Sequence, residues 1–164
     1  MREISADAWE VDCDVLCITT NCTIRNDQNV MGGGIAREVA VRDPDIPGEY
    51  ADLIKAFGHH VYLMKMVYEQ EWEDPFAEKF ILMFPTKNEV SENSSLARVF
   101  LSVIETKALA DIYGWKTIAL PRPGCGLGGL DWHGKVRPFF ERLAPDNAGY
   151  LDNRFLIVSY PGEK

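Results

Sequence analysis

A surplus of basic residues is missing from this chain. Lysine and arginine total 17 against 25 aspartates and glutamates, for a formal net charge of -8. Proteins that neutralise nucleic-acid phosphates cluster their cations. No general nucleic-acid grip is therefore expected, and a nucleic-acid end or modified base would have to be held by local groups. Long apolar runs are also missing. No stretch approaches the ~20 residues that span a bilayer, and no apolar segment follows Met1-Arg2-Glu3-Ile4 to suggest a secretory leader. No membrane association is expected, and the location read from the sequence is cytoplasmic. Cysteine is sparse: Cys13, Cys17, Cys22 and Cys125 form no CxxC pair, and only three histidines accompany them. A zinc site is not expected, nor any other metal or cofactor, and the cysteines read as reduced. Neither glycine cluster matches GxGxxG as a dinucleotide fold requires it, and no GxxxxGK[ST] is present, so a Rossmann dehydrogenase and a P-loop nucleotidase fit poorly. There is no internal repeat, linker or low-complexity tract.

What is present suits one α/β domain over residues 1–164, and a monomer is expected. The 164 residues are 46% hydrophobic, enough for a packed core. Strand-like and helix-like segments alternate. Arg2-Glu3-Ile4 opens as a short strand. Val15 to Thr20 is a continuous β-prone run of the kind covered on both faces. Asn21 to Gly34 reads as a polar loop ending in glycine. Ile35 to Arg42 and Pro47 to Phe57 read as helices, and His60 to Tyr68 as a strand. An acidic turn, Glu69 to Pro75, contains Trp72. Phe80 to Phe84 reads as a buried strand. The spacing predicts a long helix over Ser94–Tyr113 with Leu96, Val99, Phe100, Val103 and Ile104 on one stripe. Thr117 to Leu120 is a strand, Asp131 to Leu143 a helix despite Gly134 and Pro138, and Phe155 to Val158 the last strand.

Three strands end in loops of unusual composition, after Thr20, Phe84 and Leu120. Ligands of open α/β sheets sit beyond the carboxyl ends of strands. That puts Asn21, Lys87 and two glycine-rich loops on one rim. The first loop, Gly32-Gly33-Gly34, runs straight into a helix that opens with Ile35. The second is Gly124-Cys125-Gly126-Leu127-Gly128-Gly129. Glycine lets a backbone approach a ligand closely, and a helix N-terminus offers unpaired N–H groups and partial positive charge. One such loop alone reads as a tight turn. Two, each between a strand and a helix, point to a diphosphate gripped from both sides.

At this point the sequence resembles the macro domain family over nearly its whole length. Ile18-Thr-Thr-Asn21-Cys22 with Met31-Gly-Gly-Gly-Ile-Ala36 looks like the family's first strand end and glycine turn. Pro121-Arg-Pro-Gly-Cys-Gly-Leu-Gly-Gly-Leu-Asp-Trp132 looks like its second phosphate loop and is the most specific signal. Phe84-Pro-Thr-Lys87 is similar to the branch of terminal ADP-ribose glycohydrolases and of antitoxin macro domains that remove ADP-ribose from DNA. The resemblance implies a three-layer α/β/α domain with a mixed, roughly six-stranded sheet. Its implied ligand is ADP-ribose or an ADP-ribosylated substrate.

The resemblance also assigns residues. Asp7, with Ala8 beside it, takes the place of the family's adenine-binding aspartate, or is a surface turn residue. Asn21 matches the second asparagine of Asn-x-x-Asn and would reach the distal ribose, or would be a turn amide bonding its own backbone. Ile18 replaces the first asparagine. Gly32, Gly33, Gly34 and Ile35 on one side, and Gly124, Cys125, Gly126, Leu127 and Gly128 on the other, would bind substrate. Tyr160 would pack on the adenine ring, or lie at the core edge. The stretch Thr23 to Val30 is longer than the family's usual connection and borders the distal ribose.

Lys87 takes the place of the lysine that attacks the anomeric carbon in the glycohydrolase branch. Its plain alternative is a solvated surface lysine. The protein-directed glycohydrolase carries an aspartate where this chain has Gly128. Asp131 could replace it as general acid or base, or serve as a helix N-cap. Three functions remain open on sequence. One is an ADP-ribosyl hydrolase using Lys87, with Asn21 and Asp131 in support. Another is an ADP-ribose 1″-phosphate phosphatase assisted by His133 or Asp131. The third is a non-catalytic reader of ADP-ribose. His59-His60 and His133 read as solvent-facing, and Trp115 as structural.

Overall fold

The computed structural model describes residues 1–69, 76–143 and 150–162. Its strands are β1 (Arg2–Ser5), β2 (Val15–Thr20), β3 (Ile24–Arg25), β4 (Gln28–Asn29), β5 (Tyr62–Glu69), β6 (Phe76–Pro85), β7 (Ile118–Pro121) and β8 (Phe155–Ser159). Its helices are α1 (Gly34–Arg42), α2 (Ile46–Phe57), α3 (Leu96–Tyr113) and α4 (Arg137–Arg142). Six strands form one sheet in the order β1-β8-β7-β2-β6-β5. All neighbours are parallel except the edge pair β5 and β6.

The strand side chains alternate between two cores, as a sheet covered on both faces requires. Leu16, Ile18, Ile81, Met83, Ala119 and Leu156 pack with Ile35, Val39, Tyr50 and Ile54 of α1 and α2. Val15, Cys17, Leu82, Phe84, Ile118, Leu120 and Phe155 pack with Val99 and Val103 of α3 and Phe140 of α4. The result is the expected three-layer α/β/α domain with a mixed six-stranded sheet. Among the described residues, no helix is long and apolar enough to cross a membrane.

Several boundaries differ from the sequence reading. β6 begins at Phe76 rather than Phe80, because it pairs with the whole of β5 as an antiparallel ribbon, Glu69 opposite Phe76. On α3, Ile104 is 37% exposed while Ser102 and Thr106 are fully buried. Those hydroxyls are satisfied: Ser102 Oγ donates to the Pro85 carbonyl at 2.7 Å and Thr106 Oγ1 to the Ser102 carbonyl at 2.6 Å. A hydrogen-bonded hydroxyl is tolerated in a core, and apolar periodicity cannot foresee it. The loop after Asn21 contains a small hairpin, β3 with β4, turned by Asn26 and Asp27 at φ 51° and 61°. That pair suits the positive-φ turn of a two-residue hairpin.

The helix expected over Asp131–Leu143 is divided. A π-helical turn spans Trp132–Val136, and α4 follows with Pro138 in its first turn. Proline lacks an N–H and is accepted only at a helix start. The acidic turn expected at Glu69–Pro75, with Trp72, lies outside the described residues beyond Glu69. Trp115 stacks on Tyr113, with ring centroids 5.3 Å apart.

Candidate functional site

The central strands end on one rim. β6 reaches Pro85 opposite Thr20 of β2, and β7 reaches Pro121 opposite Val158 of β8. A cavity of about 550 Å³ opens above them, within the size range of small-molecule sites. Thr86 and Lys87 line it from the end of β6, and Thr20 and Asn21 from β2. Pro121, Arg122, Gly124, Gly126, Leu127 and Gly128 line it from β7 and its loop, and Val158 and Tyr160 from β8. Gly32, Gly33, Gly34 and Ile35 close the near side.

The first glycine loop is a bare helix start. Gly33 is the N-cap of α1, and no side chain caps the helix there. Gly34 sits at φ 55°, a conformation that favours glycine. The uncapped start of α1 thus lines the cavity, and the unpaired N–H groups of a helix start suit an anion. The second loop folds on itself: Leu130 N–H donates to the Gly124 carbonyl at 2.9 Å and Gly129 N–H to the Gly126 carbonyl at 3.1 Å. Leu127, 80% exposed, reaches across to the first loop. A Cβ built on Gly33 would lie 2.4 Å from Leu127 Cδ1.

Lys87 is half-buried at the wall, and its Nζ donates to the carbonyls of Val90 at 3.1 Å and Glu92 at 3.0 Å. Asn21 is buried, and both ends of its amide are engaged: Nδ2 donates to the Val30 carbonyl at 2.8 Å, and Oδ1 accepts from Thr23 N–H at 2.9 Å. Its side chain organises the loop that carries the hairpin. Thr23 Oγ1 then joins this loop to the lysine side, donating to Glu89 at 2.9 Å and accepting from Val90 N–H at 2.8 Å. Cys22 lies beneath. Burial raises its thiol, so it stays protonated and is no nucleophile. Burial also pushes up the phenol of Tyr50, whose hydroxyl is 3.1 Å from Thr20 Oγ1.

Other expected residues stand elsewhere. Asp7 is exposed and its carboxylate accepts from Trp9 N–H at 2.9 Å, capping the turn Ala8–Glu10. Ala8 is fully buried in the first core. The Cys125 thiol donates to the Pro123 carbonyl at 3.4 Å. Asp131 caps the turn after the second loop, accepting from Gly134 N–H at 2.9 Å. None of these four is among the cavity's lining residues. His133 is exposed, and its Nε2 lies 3.5 Å from Arg122. His60 faces solvent and contacts Glu105 at 2.8 Å.

Sequence reasoning missed Thr20, Thr86, Val90, Ser94 and Arg122, all of which line the cavity. Arg122 was findable: a cation between two prolines at a strand end is an unusual placement. Its guanidinium is steadied by Glu3 at 3.9 Å, and Glu3 also binds Arg137 at 2.8 Å and the Trp132 indole at 3.2 Å. Ser94 gave no local signal. Among the described residues, no group of three metal-ligating side chains occurs.

No family model matches the chain. The macrodomain of Mycobacterium tuberculosis DarG superposes with a TM-score of 0.72 at 24% identity, over 98% of this chain and 97% of that one. Thermosipho africanus DarTG in complex with ADP-ribose gives the same TM-score at 25% identity, over 99% of this chain and 42% of that one. The chain is a macro domain. In sequence it is 30% identical over 128 residues to proteins named DNA ADP-ribosyl glycohydrolase from Mycobacterium bovis and Mycobacterium tuberculosis. The match takes in 78% of this chain but only 34% of those relatives' length. In this macro domain Ile18 is fully buried in the first core, which explains the apolar residue at that point of the strand. Gly128 has an equally local reason. A Cβ there would stand 2.1 Å from Ser94 Oγ and 2.6 Å from the Gly124 carbonyl, so a carboxylate-bearing side chain has no room.

Proposed function

We propose that this macro domain binds ADP-ribose across the sheet rim and removes it from ADP-ribosylated DNA, with Lys87 as the nucleophile. The observation that carries the reading is the cavity itself. Two glycine loops of different build face one space, and a lysine amine stands at its wall. The substrate class is supported by the name of the mycobacterial relatives and by the ADP-ribose complex of the Thermosipho protein. The diphosphate lies between the loops, with adenine toward Tyr160 and the distal ribose toward Asn21 and Lys87. The net charge of -8 fits a protein that grasps DNA by its ADP-ribose and not by its backbone.

The chemistry needs a free lone pair on Lys87. The amine first leaves the Val90 and Glu92 carbonyls and gives a proton to solvent. It then forms a bond to C1″ of the distal ribose as the bond from C1″ to the modified base breaks. The bonding electrons leave with the base, which takes a proton from water. Water next adds at C1″, the lysine departs, and free ADP-ribose is released. The phosphatase reading loses its assisting groups, since His133 is exposed beside Arg122 and Asp131 is occupied as a cap. Action as a cytoplasmic monomer belongs to the same proposal, and the free thiols of Cys13, Cys17 and Cys22 suit a reducing compartment.

Three substrates test it: an ADP-ribosylated oligonucleotide, a protein ADP-ribosylated on carboxylates, and ADP-ribose 1″-phosphate. The oligonucleotide should be consumed fastest. Lys87→Ala should slow that release by at least about 1,000-fold, while calorimetry finds the ADP-ribose Kd within a few-fold of the parent. A Lys87→Ala protein that works at the parent rate would end the lysine reading. Phosphate release from the 1″-phosphate with intact oligonucleotide would favour the phosphatase.

A further inference from the structure

Ser94 lies just before α3, whose N-cap is the neighbouring Ser95. It is 6% exposed, and the Thr86 beside it is 4% exposed. Its backbone N–H donates to the Gly128 carbonyl at 2.9 Å, and its hydroxyl donates to Thr86 Oγ1 at 2.9 Å. Thr86 passes the connection on: its N–H and its Oγ1 reach the Thr20 carbonyl at 3.0 and 3.4 Å, and its own carbonyl accepts from Ser95 N–H at 3.1 Å. One residue thus ties the second glycine loop to the strand end that carries Lys87.

The glycines of that loop fit around it. A Cβ on Gly124 would come within 2.9 Å of Ser94 Cβ, and one on Gly128 within 2.1 Å of Ser94 Oγ. Ser94 therefore occupies a hollow that exists only because both neighbours lack side chains. The chain requires glycine there to admit the tie as well as to approach a ligand.

We propose that Ser94 is a positioning residue. It holds the diphosphate loop at a set distance from Thr86-Lys87, so that a bound ADP-ribose presents its distal ribose to the amine. The inference rests on the reading of Lys87 as nucleophile. Displacement reactions need the reacting atoms about 3–3.5 Å apart, and a misplacement of about 1 Å costs on the order of 100-fold. A tie between the group that holds the substrate and the group that attacks it is where such control has to lie.

The test uses the parent, Ser94→Ala, Ser94→Gly, Gly128→Ala and the double variant Ser94→Gly/Gly128→Ala. Each is measured for ADP-ribose Kd, for kcat on the ADP-ribosylated oligonucleotide, and for Tm. Gly128→Ala should weaken ADP-ribose binding by about 10-fold or more through the clash. Adding Ser94→Gly should return only part of the lost affinity, because the Ser94 side chain is gone while the Gly124 carbonyl, 2.6 Å from a Cβ at position 128, remains. In the double variant, kcat at saturation should stay at least about 10-fold down, because the hydroxyl tie is gone. Ser94→Ala should lower kcat by a similar factor with Kd within about 3-fold. A Ser94→Ala protein with parental kcat would overturn the proposal, as would a double variant that regains Kd and kcat together, which marks Ser94 as filler only. A parent that binds ADP-ribose yet cleaves nothing would sink the lysine reading instead, and the Kd series would still decide whether Ser94 and loop 124–129 are coupled.

Discussion

The two glycine loops are alike in sequence and unlike in construction. The first, Gly32–Gly34, is a helix start left open: no side chain caps α1, and its first residues line the cavity. The second, Gly124–Gly129, is followed by a helical turn whose end is already filled by the Asp131 carboxylate. It turns on its own backbone and is held from behind by Ser94. One loop attracts an anion through a helix terminus; the other shapes the space around it. Counting glycines does not distinguish these roles, because the distinction lies in where the neighbouring carboxylate and hydroxyl point.

Substitutions can break or sharpen this contrast. The largest effect is expected at Gly128→Asp in the shaped loop. The new side chain meets both Ser94 and a backbone carbonyl, and the latter cannot swing away. ADP-ribose binding measured by calorimetry should fall by about 10- to 100-fold, as overpacking costs about 1–3 kcal/mol. Retention of full affinity would show that the second loop moves freely. Gly34→Ala comes next. No atom lies within 4 Å of a Cβ there, so the cost is the positive φ of 55° alone. A left-handed conformation costs about 1–2 kcal/mol, and binding should weaken by roughly 5- to 30-fold if the open helix start is what grips the ligand.

Asp131→Ala probes the closed helix start. Losing the cap should cost about 1 kcal/mol and lower Tm by about 2–4 °C, with the rate of ADP-ribose release unchanged. A collapse of that rate at constant ligand affinity would return Asp131 to the chemistry. Gly33→Ala should do least. Its Cβ meets only the tip of Leu127, an exposed side chain that can swing away. Titration with ADP-ribose should find less than about a 3-fold change, and a larger loss would mean that Leu127 closing onto Gly33 is part of holding the ligand.

Much of the sheet was legible from β2, β6, β7 and β8, whose apolar runs are continuous because both faces are covered. The rim was legible too, since strand ends followed by glycine, asparagine and lysine stand out. The stripe of α3 was misread at Ile104 because hydrogen-bonded Ser102 and Thr106 sit in the core instead. Asn21 and Asp131 were recognisable as polar groups at element ends, but local chemistry could not say whether they faced a ligand or the backbone. Both are bonded to backbone.

By itself the sequence determined the layered α/β class, the strand ends that form the rim, and the pairing of two glycine loops with Lys87. These follow from local composition and period, which act over a few residues. The tertiary structure alone decided which loop opens a helix, why position 128 tolerates no side chain, and that Ser94 links the second loop to Lys87. Those relations join residues 20, 86, 94 and 128, which are far apart in the chain and brought together only by the parallel order of β6, β2 and β7.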